Sequence, residues 1–311
     1  MSAKPYDIVV IGSGPAGITA AIYGVRANLK TLVIAGNLAG GQLTLTTDVE
    51  DFPGFVEPIR GPILMEQMRK QAERLNVEFM NEHVTKVDFK KRPFTVWMDK
   101  KSVQGSTVII STGGDFKLLG LDSERRLLGR GLSTCAVCDA FFFKDKDVAV
   151  VGGGDTAMRE ALYLANVCKS VTVIHRRDKL KAQPVLQDRA FANKKIKFLW
   201  NTEVQEVLGD KLANGLRLIN NVTKKATDMP FGGIFIAIGH KPNTELFKGQ
   251  INIDSKGYIV LKGTGQETSV PGVYAAGDVH DYVYMQAVTA AGAGCRAALD
   301  AYRFLKEEGK K

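Results

Sequence analysis

Tyr6-Asp7-Ile8-Val9-Val10-Ile11-Gly12-Ser13-Gly14-Pro15-Ala16-Gly17 is the stretch on which the fold turns. Its first half is an apolar, β-branched run that reads as a buried strand, and the second half is a glycine-rich turn opening a helix from about Ala16 to Ala27. In such a turn Gly12 permits the tight bend. Gly14 lets the backbone approach a pyrophosphate, and Gly17 lets the helix pack against its strand, with the helix N-terminus facing the phosphates. A second strand, Thr31-Leu32-Val33-Ile34-Ala35, closes a βαβ unit.

The pattern returns further along the chain. Val148-Ala149-Val150-Val151 leads into Gly152-Gly153-Gly154-Asp155-Thr156-Ala157, then a helix to about Val167 and a strand from Ser170 to His175. Gly12 to Ala35 and Gly152 to His175 both span 23 positions, so each second strand ends where a nucleotide ribose would lie. The residues there predict different occupants. His175-Arg176-Arg177-Asp178-Lys179-Leu180-Lys181 is a basic cluster suited to a 2′-phosphate, which favours NADP over NAD. Ala35 offers no acid to a ribose, which leaves FAD as the better occupant of the first turn.

The second unit reads as an insertion in the first. After Gly239-His240-Lys241-Pro242-Asn243-Thr244 comes Pro271-Gly272-Val273-Tyr274-Ala275-Ala276-Gly277-Asp278, a short strand ending in an acid placed to bond a ribityl chain, then a helix from about Gln286 to Phe304. The expected fold class is α/β, with two Rossmann-like, three-layer dinucleotide-binding domains. Residues 1–114 and 244–311 form the FAD domain, and residues 115–243 form the inserted NADPH domain, with hinges near Thr112 to Phe116 and Gly239 to Thr244.

Ser133-Thr134-Cys135-Ala136-Val137-Cys138-Asp139 lies inside that insertion, 14 positions before Gly152. Two intervening residues bring the sulfurs within bonding reach where the segment enters a helix, and a helix N-terminus favours a thiolate. Asp139 is placed to carry a proton, because thiol–disulfide exchange needs a thiolate in and a thiol out. Half of a zinc site is the competing reading. It fails because Cys168, Cys295, His83, His175, His240 and His280 offer no second closely spaced pair, so no metal is expected. An inert structural pair stays open at this point.

Composition narrows the classes. The chain has 311 residues, 45% hydrophobic and 24% charged, which suits about two ordinary globular domains. Its longest apolar runs, Ile8 to Ile11 and Phe235 to Ile238, are far short of the ~20 residues that span a bilayer. The first strand begins within six residues, leaving no room for a secretory leader. Four cysteines, two of them expected as buried apolar fillers (Cys168 and Cys295), point to a reducing compartment, and a cytoplasmic location is expected. The net charge of +9 is spread along the chain, against a nucleic-acid role, and Lys306 to Lys311 reads as a frayed, solvated helix end.

Taken in order, several segments resemble the small, bacterial and archaeal type of thioredoxin reductase, of the class II pyridine nucleotide-disulfide oxidoreductases. They are Gly12 to Gly17, Gly40-Gly41-Gln42-Leu43-Thr44, Val49-Glu50-Asp51-Phe52-Pro53-Gly54, Cys135 to Asp139, Gly152 to Ala157, His175-Arg176-Arg177 and Gly277-Asp278. The most specific element is a redox pair inside the nicotinamide-binding domain. The resemblance implies that FAD is held by Gly12, Ser13, Gly14, Pro15, Ala16 and Gly17, by Gly41, Gln42, Leu43, Thr46 and Asp51, by Thr112 and Gly113, and by Gly277, Asp278, Gln286 and Ala287. It implies that NADPH is held by Gly153, Gly154, Asp155, Thr156 and Ala157, by His175, Arg176, Arg177 and Lys181, and by Gly239. Asp139 is then the acid/base of the dithiol, a thioredoxin or thioredoxin-like protein the substrate, and a homodimer the expected assembly. Because hydride donor and disulfide both need the flavin, each within ~3–3.5 Å, the inserted domain is expected to rotate about its hinges.

Some positions depart from that family pattern: Arg159 where a Glu is common, Met285 where an Arg is common, Lys181 for a third Arg, Asp51 for Asn and Ala140 for Gly. Drift at tolerant positions is one reading. The other is a changed electron donor, such as a deazaflavin, ferredoxin or NADH. A small-molecule disulfide reductase or dithiol oxidase, or a non-catalytic flavoprotein serving as a sensor or interaction platform, completes the alternatives.

Overall fold

The computed structural model describes residues 4–99 and 101–309. The elements that build the site are, in chain order, β1 (Tyr6–Ile11), α1 (Pro15–Arg26), β2 (Thr31–Ile34), α2 (Gly61–Arg74), β3 (Lys101–Ile110), α3 (Ala136–Asp139), β4 (Asp147–Val151), α4 (Asp155–Val167), β5 (Ser170–Ile174), α5 (Pro184–Ala192), β6 (Gly233–Ile236), β7 (Val273–Ala275) and α6 (Ala287–Glu307). They fall into two compact units, one of residues 4–115 with 241–309 and the other of residues 116–240. The chain crosses between them in two short strands, Gly114–Phe116 and His240–Pro242, which pair with each other.

In the first unit a seven-stranded sheet runs in the order Glu78–Met80, β2, β1, β3, Phe94–Met98, Val84–Asp88, with β7 also paired to β3. β1 is parallel to both neighbours, with Ile8 opposite Thr31 on one side and Thr107 on the other. Parallel strands of this kind are covered on both faces, which is why β1 needs a continuous apolar run: Ile8, Val9 and Val10 are fully buried. Helices α1 and α6 share one core cluster through small residues, Ala20 and Ala21 facing Ala297, Ala298 and Ala301. Their approach is close enough that a Cβ on Gly294 would stand 2.0 Å from the Ala16 carbonyl oxygen.

The second unit repeats the plan with a five-stranded, all-parallel sheet in the order Leu132–Ser133, β6, β4, β5, Ile196–Leu199. In both sheets the strand before the glycine turn has the βαβ partner on one side and a later, returning strand on the other, β3 for β1 and β6 for β4. Each unit also carries an antiparallel excursion, Val84–Asp88 with Phe94–Met98 in the first and Thr202–Leu208, Gly215–Asn220, Ala226–Pro230 in the second. α4 buries Ala157, Met158, Ala161, Leu164 and Ala165, the i, i+4, i+7 stripe of a helix lying on a sheet. These are two Rossmann-like folds, each with its glycine turn at the C-terminal edge of its parallel strands.

Among the described residues no helix is long and apolar enough to cross a membrane. Cys168 is buried as a filler, but Cys295 departs from that expectation: it is half-exposed on α6, where its thiol meets the Tyr23 hydroxyl of α1. The C-terminal helix continues to Glu307, past the expected end near Phe304, because Ala297, Ala301 and Leu305 keep its apolar stripe on the core. Lys310 and Lys311 of the expected frayed tail lie outside the described residues.

Candidate functional site

Steric demands fix the first glycine turn. Gly12 has φ +109°, and a Cβ there would lie 2.3 Å from the Ser111 carbonyl oxygen; on Gly17 it would lie 2.1 Å from the Gly12 carbonyl oxygen. Neither position tolerates a side chain without moving backbone. Gly14 is different: it caps α1 in extended conformation, with nothing within 4 Å of a built Cβ, so it faces open space. Pro15 follows in the first turn of α1, where its missing N–H costs nothing.

Other expected residues converge on this turn. The Ser13 hydroxyl donates to the Ala35 carbonyl at 3.0 Å and accepts from the Gly40 N–H at 3.0 Å, pinning the Gly40–Gly41 segment to it. Gly41 (φ +69°) passes so close that its Cβ would stand 3.2 Å from Gly14 Cα. Gln42 donates to Asp115 at 2.8 Å, and Thr46 spends its hydroxyl on the Leu43 carbonyl at 2.9 Å. Asp51 is exposed. Thr112 donates to the Asn243 carbonyl at 2.7 Å, while Asn243 returns bonds to the Thr112 and Gly113 carbonyls at 3.1 and 3.0 Å. Gly277 (φ +80°) approaches the start of both α1 and α6, its Cβ falling 3.1 Å from that of Ala16 and 3.5 Å from that of Ala290.

Asp278, next to it, is held by burial, and by repulsion from Asp281, at a pKa of about 7. Gln286 caps α6 in a reciprocal pair with Thr289, which places Ala287 in the helix's first turn. Ser13, Gly40, Thr44, Met65, Glu66 and Phe79 line a cavity of about 200 Å³ at the turn. Open space over Gly14, two helix starts brought together and a carboxyl whose charge is disfavoured by burial fit an extended, anionic dinucleotide carrying hydroxyl groups.

In the second unit a Cβ on Gly152 would lie 2.3 Å from the Ala237 carbonyl oxygen. One on Gly153 would strike the His175 ring at 2.3 Å, so the imidazole stands directly over the turn. His175 is buried, its Nε2 lies 3.0 Å from the Lys179 carbonyl, and its pKa is lowered by burial despite that contact, with Arg176, Arg177 and Lys181 pushing the same way. Lys181 donates its N–H to the Gly153 carbonyl at 2.7 Å, and Asp155 accepts from the Gln183 N–H at 2.7 Å, which ties the basic loop to the turn. Arg176 and Arg177 are exposed and join no ion pair among the described residues, leaving both guanidinium groups available to an anion. Gly239 (φ +111°) accepts from the Lys117 N–H at 2.9 Å. Arg159, on the outer face of α4, lines an open groove with Tyr163, Gln183, Val185 and Arg189. Met285 precedes α6 with φ +50°.

The redox pair is closed. Cys135 and Cys138 form a disulfide with Cα atoms 5.4 Å apart. Cys135 caps the four-residue helix α3, its sulfur accepting from the Cys138 N–H at 3.2 Å, and the Ser133 hydroxyl accepts from the Cys135 N–H at 3.0 Å. Cys138 is exposed and Cys135 half-buried. Among the described residues no group of His, Cys, Asp and Glu comes together as a metal site would.

Two features were missed in the sequence. Val137, Phe141 and Phe142 are exposed, at 49%, 70% and 43%, which leaves an apolar surface beside the disulfide. The signal was the run Phe141-Phe142-Phe143, which one turn of helix cannot bury whole; only Phe143 is inside. Glu160, flanking the apolar stripe of α4, turns its carboxyl toward α3, and burial raises its pKa to about 8.

Known proteins agree with this geometry. The family model for pyridine nucleotide-disulphide oxidoreductases matches residues 6–294. The chain is 52% identical to a thioredoxin reductase of Streptomyces coelicolor over 96% of its own length and 94% of the relative's, and 50% identical to one of Rickettsia conorii over 96% and 98%. A solved thioredoxin reductase of Streptococcus pyogenes superposes with a TM-score of 0.93 at 42% identity, covering 98% of this chain and 100% of that one. With two nucleotide folds, a redox disulfide and these relatives in register along its length, the chain belongs to the pyridine nucleotide-disulphide oxidoreductase family.

Proposed function

We propose that this chain is an FAD-dependent thioredoxin-disulfide reductase that draws electrons from NADPH and delivers them through Cys135 and Cys138 to thioredoxin or a thioredoxin-like protein. The observation that carries the reading is a half-exposed disulfide on the same unit as the second nucleotide turn, flanked by exposed apolar side chains. The isoalloxazine of a bound FAD supplies two-electron chemistry between a nicotinamide and a disulfide. The residues of the first unit would hold it: the Gly12–Gly17 turn and the α1 N-terminus at the pyrophosphate, Gly41 and Gln42 over the turn, and Asp278 at the ribityl hydroxyls. On the second unit Gly153 to Ala157 would take the NADPH pyrophosphate, and Arg176, Arg177 and Lys181 its 2′-phosphate.

Once the disulfide is opened, one sulfur attacks the partner's disulfide as a thiolate, and the other resolves the mixed disulfide. Asp139 holds the proton that the leaving and attacking sulfurs exchange. Val137, Phe141 and Phe142 offer the partner a desolvated contact beside the sulfurs. The reading further assigns residues 1–114 and 244–311 to FAD and 115–243 to NADPH. It includes rotation of the NADPH domain between two working poses, a homodimer, and a cytoplasmic setting in which the disulfide is kept turning over.

Cys135→Ser and Cys138→Ser test it. Each is expected to keep its flavin and to lose thioredoxin-dependent NADPH oxidation by ~100-fold or more. Undiminished protein-disulfide reduction by either variant overturns the proposal. Parallel rates with NADH, a reduced deazaflavin and reduced ferredoxin identify the donor, and rates with low-molecular-weight disulfides identify the substrate class.

A further inference from the structure

We propose that Glu160 gains a proton when the Cys135–Cys138 bond is reduced, so that the redox helix works with two carboxyl groups, Asp139 and Glu160. The inference rests on the reductase reading above. Glu160 sits on α4, the helix that packs against α3, and its Oε2 is buried without a hydrogen-bond partner. Burial is the main cause that pushes its pKa up to about 8; the Ala136 N–H beside it favours the charged form, and the charge of Asp139 opposes it. Ala136 and Asp139 are the first and last residues of α3, so this carboxyl faces the helix that Cys135 caps.

Among the described residues, Asp139 is the charged group that acts on this carboxyl. Ala140 to Phe143 and strand β5 bear no titratable side chain. Asp147 of β4, Asp188 and Arg189 of α5, Arg159 and Tyr163 of α4 and Lys197 of the neighbouring strand are all exposed, and Asp155, at the first position of α4, directs its carboxylate to the Gln183 N–H.

Reduction breaks the sulfur–sulfur bond. Two electrons, from NADPH in turnover or from a dithiol such as dithiothreitol, leave one thiolate and, with one proton, one thiol. The new thiolate puts a negative charge on the helix that faces the buried carboxyl, which disfavours the carboxylate form of Glu160 in the reduced protein. At a pH where the oxidised protein has begun to lose the Glu160 proton, reduction therefore takes up one proton more, onto Glu160.

The test compares wild type with Glu160→Gln, which keeps shape and removes the charge. Each holoprotein is equilibrated with dithiothreitol buffers at several pH values, then quenched by alkylation, and its dithiol fraction is read by mass spectrometry. The dithiothreitol dependence is common to both and cancels in the ratio of their equilibrium constants. That ratio is expected to be flat below about pH 7 and to fall by up to ~10-fold per unit between about pH 8 and 9.5, equivalent to ~30 mV per unit for the two-electron couple. Glu160→Asp, which restores a carboxyl, should recover the slope.

A ratio constant within ~2-fold across the range overturns the proposal. If Glu160→Gln does not fold, the infrared difference spectrum of wild-type reduction near pH ~9 decides: a protonated-carboxyl band gained on reduction supports the inference, and its absence overturns it. Thioredoxin reduction by wild type is measured alongside. Full activity with a flat ratio sinks Glu160 alone, whereas an inactive wild type sinks the reductase reading.

Discussion

Replacing Gly17 by alanine puts a methyl group where the structure has none to spare. The new Cβ would meet the Gly12 carbonyl oxygen at 2.1 Å and the Ser111 hydroxyl at 2.7 Å, against an ordinary contact of 3.4 Å or more, a shortfall of about 1.3 Å at the first. Both opposing groups are fixed, Gly12 by its N–H bond to the Ile34 carbonyl at 2.9 Å and Ser111 by its bonds to the Ile11 and Gly12 carbonyls at 3.0 and 3.2 Å. Relief must come from moving backbone, at ~3 kcal/mol, offset by up to ~1 kcal/mol from the better helix propensity of alanine.

A net loss of ~2 kcal/mol lowers the melting temperature of a unit this size by ~4–8 °C. The displaced turn is the one proposed to cradle the pyrophosphate, so the same strain is expected to weaken flavin binding ~30-fold. Gly14→Ala is the control with opposite logic. Nothing lies within 4 Å of its Cβ and its φ of −70° suits any residue, so flavin-stripped protein should lose less than ~1 kcal/mol at the helix cap. Its methyl nevertheless occupies the face open to a ligand, and flavin retention should fall ~10-fold or more. Flavin content per chain and melting curves of holo and stripped protein measure both. A Gly17→Ala protein with full flavin and unchanged melting, or a Gly14→Ala protein as unstable as Gly17→Ala, refutes the reasoning.

Arg176→Ala and Arg177→Ala should each raise KM for NADPH by ~10–100-fold, through a lost charge-assisted contact, while leaving NADH kinetics nearly unchanged. An unaltered ratio of NADPH to NADH kcat/KM counts against a 2′-phosphate site there. Asp278 has its pKa raised by burial to about 7 in the folded protein, above its unfolded value of ~3.9. The folded state binds that proton more tightly, so the carboxyl costs no stability below pH ~4, costs progressively more as pH rises toward 7, and costs a constant amount above it. Asp278→Asn in flavin-stripped protein is therefore expected to stabilise by ~2–4 kcal/mol above pH 7 and by nothing near pH ~4. Denaturant melts at both pH values check it, and equal effects at the two would show that ionisation is not involved.

The two glycine turns, their helices and the cysteine pair were legible because each is a local event. A strand, a bend and a helix start lie within a dozen residues, and two residues between cysteines set their reach whatever surrounds them. The order of the strands was not legible: that β3 and β6 return beside β1 and β4 is set by pairings between segments far apart in the chain. What sequence alone could not give depends on residues far apart in the chain. Asn243 meets Thr112 across 131 positions, and Glu160 reaches the helix of Asp139 because α4 lies against it.

Burial, too, belongs to the folded chain. Phe141 and Phe143 are the same residue type two positions apart, yet only packing against Phe235 put one inside and left the other beside the disulfide. The sequence by itself determined where the glycine turns and the cysteine pair fall, because those rules act over a few bonds. Tertiary structure alone decided which carboxyls lose their water, since desolvation is the work of every neighbour at once.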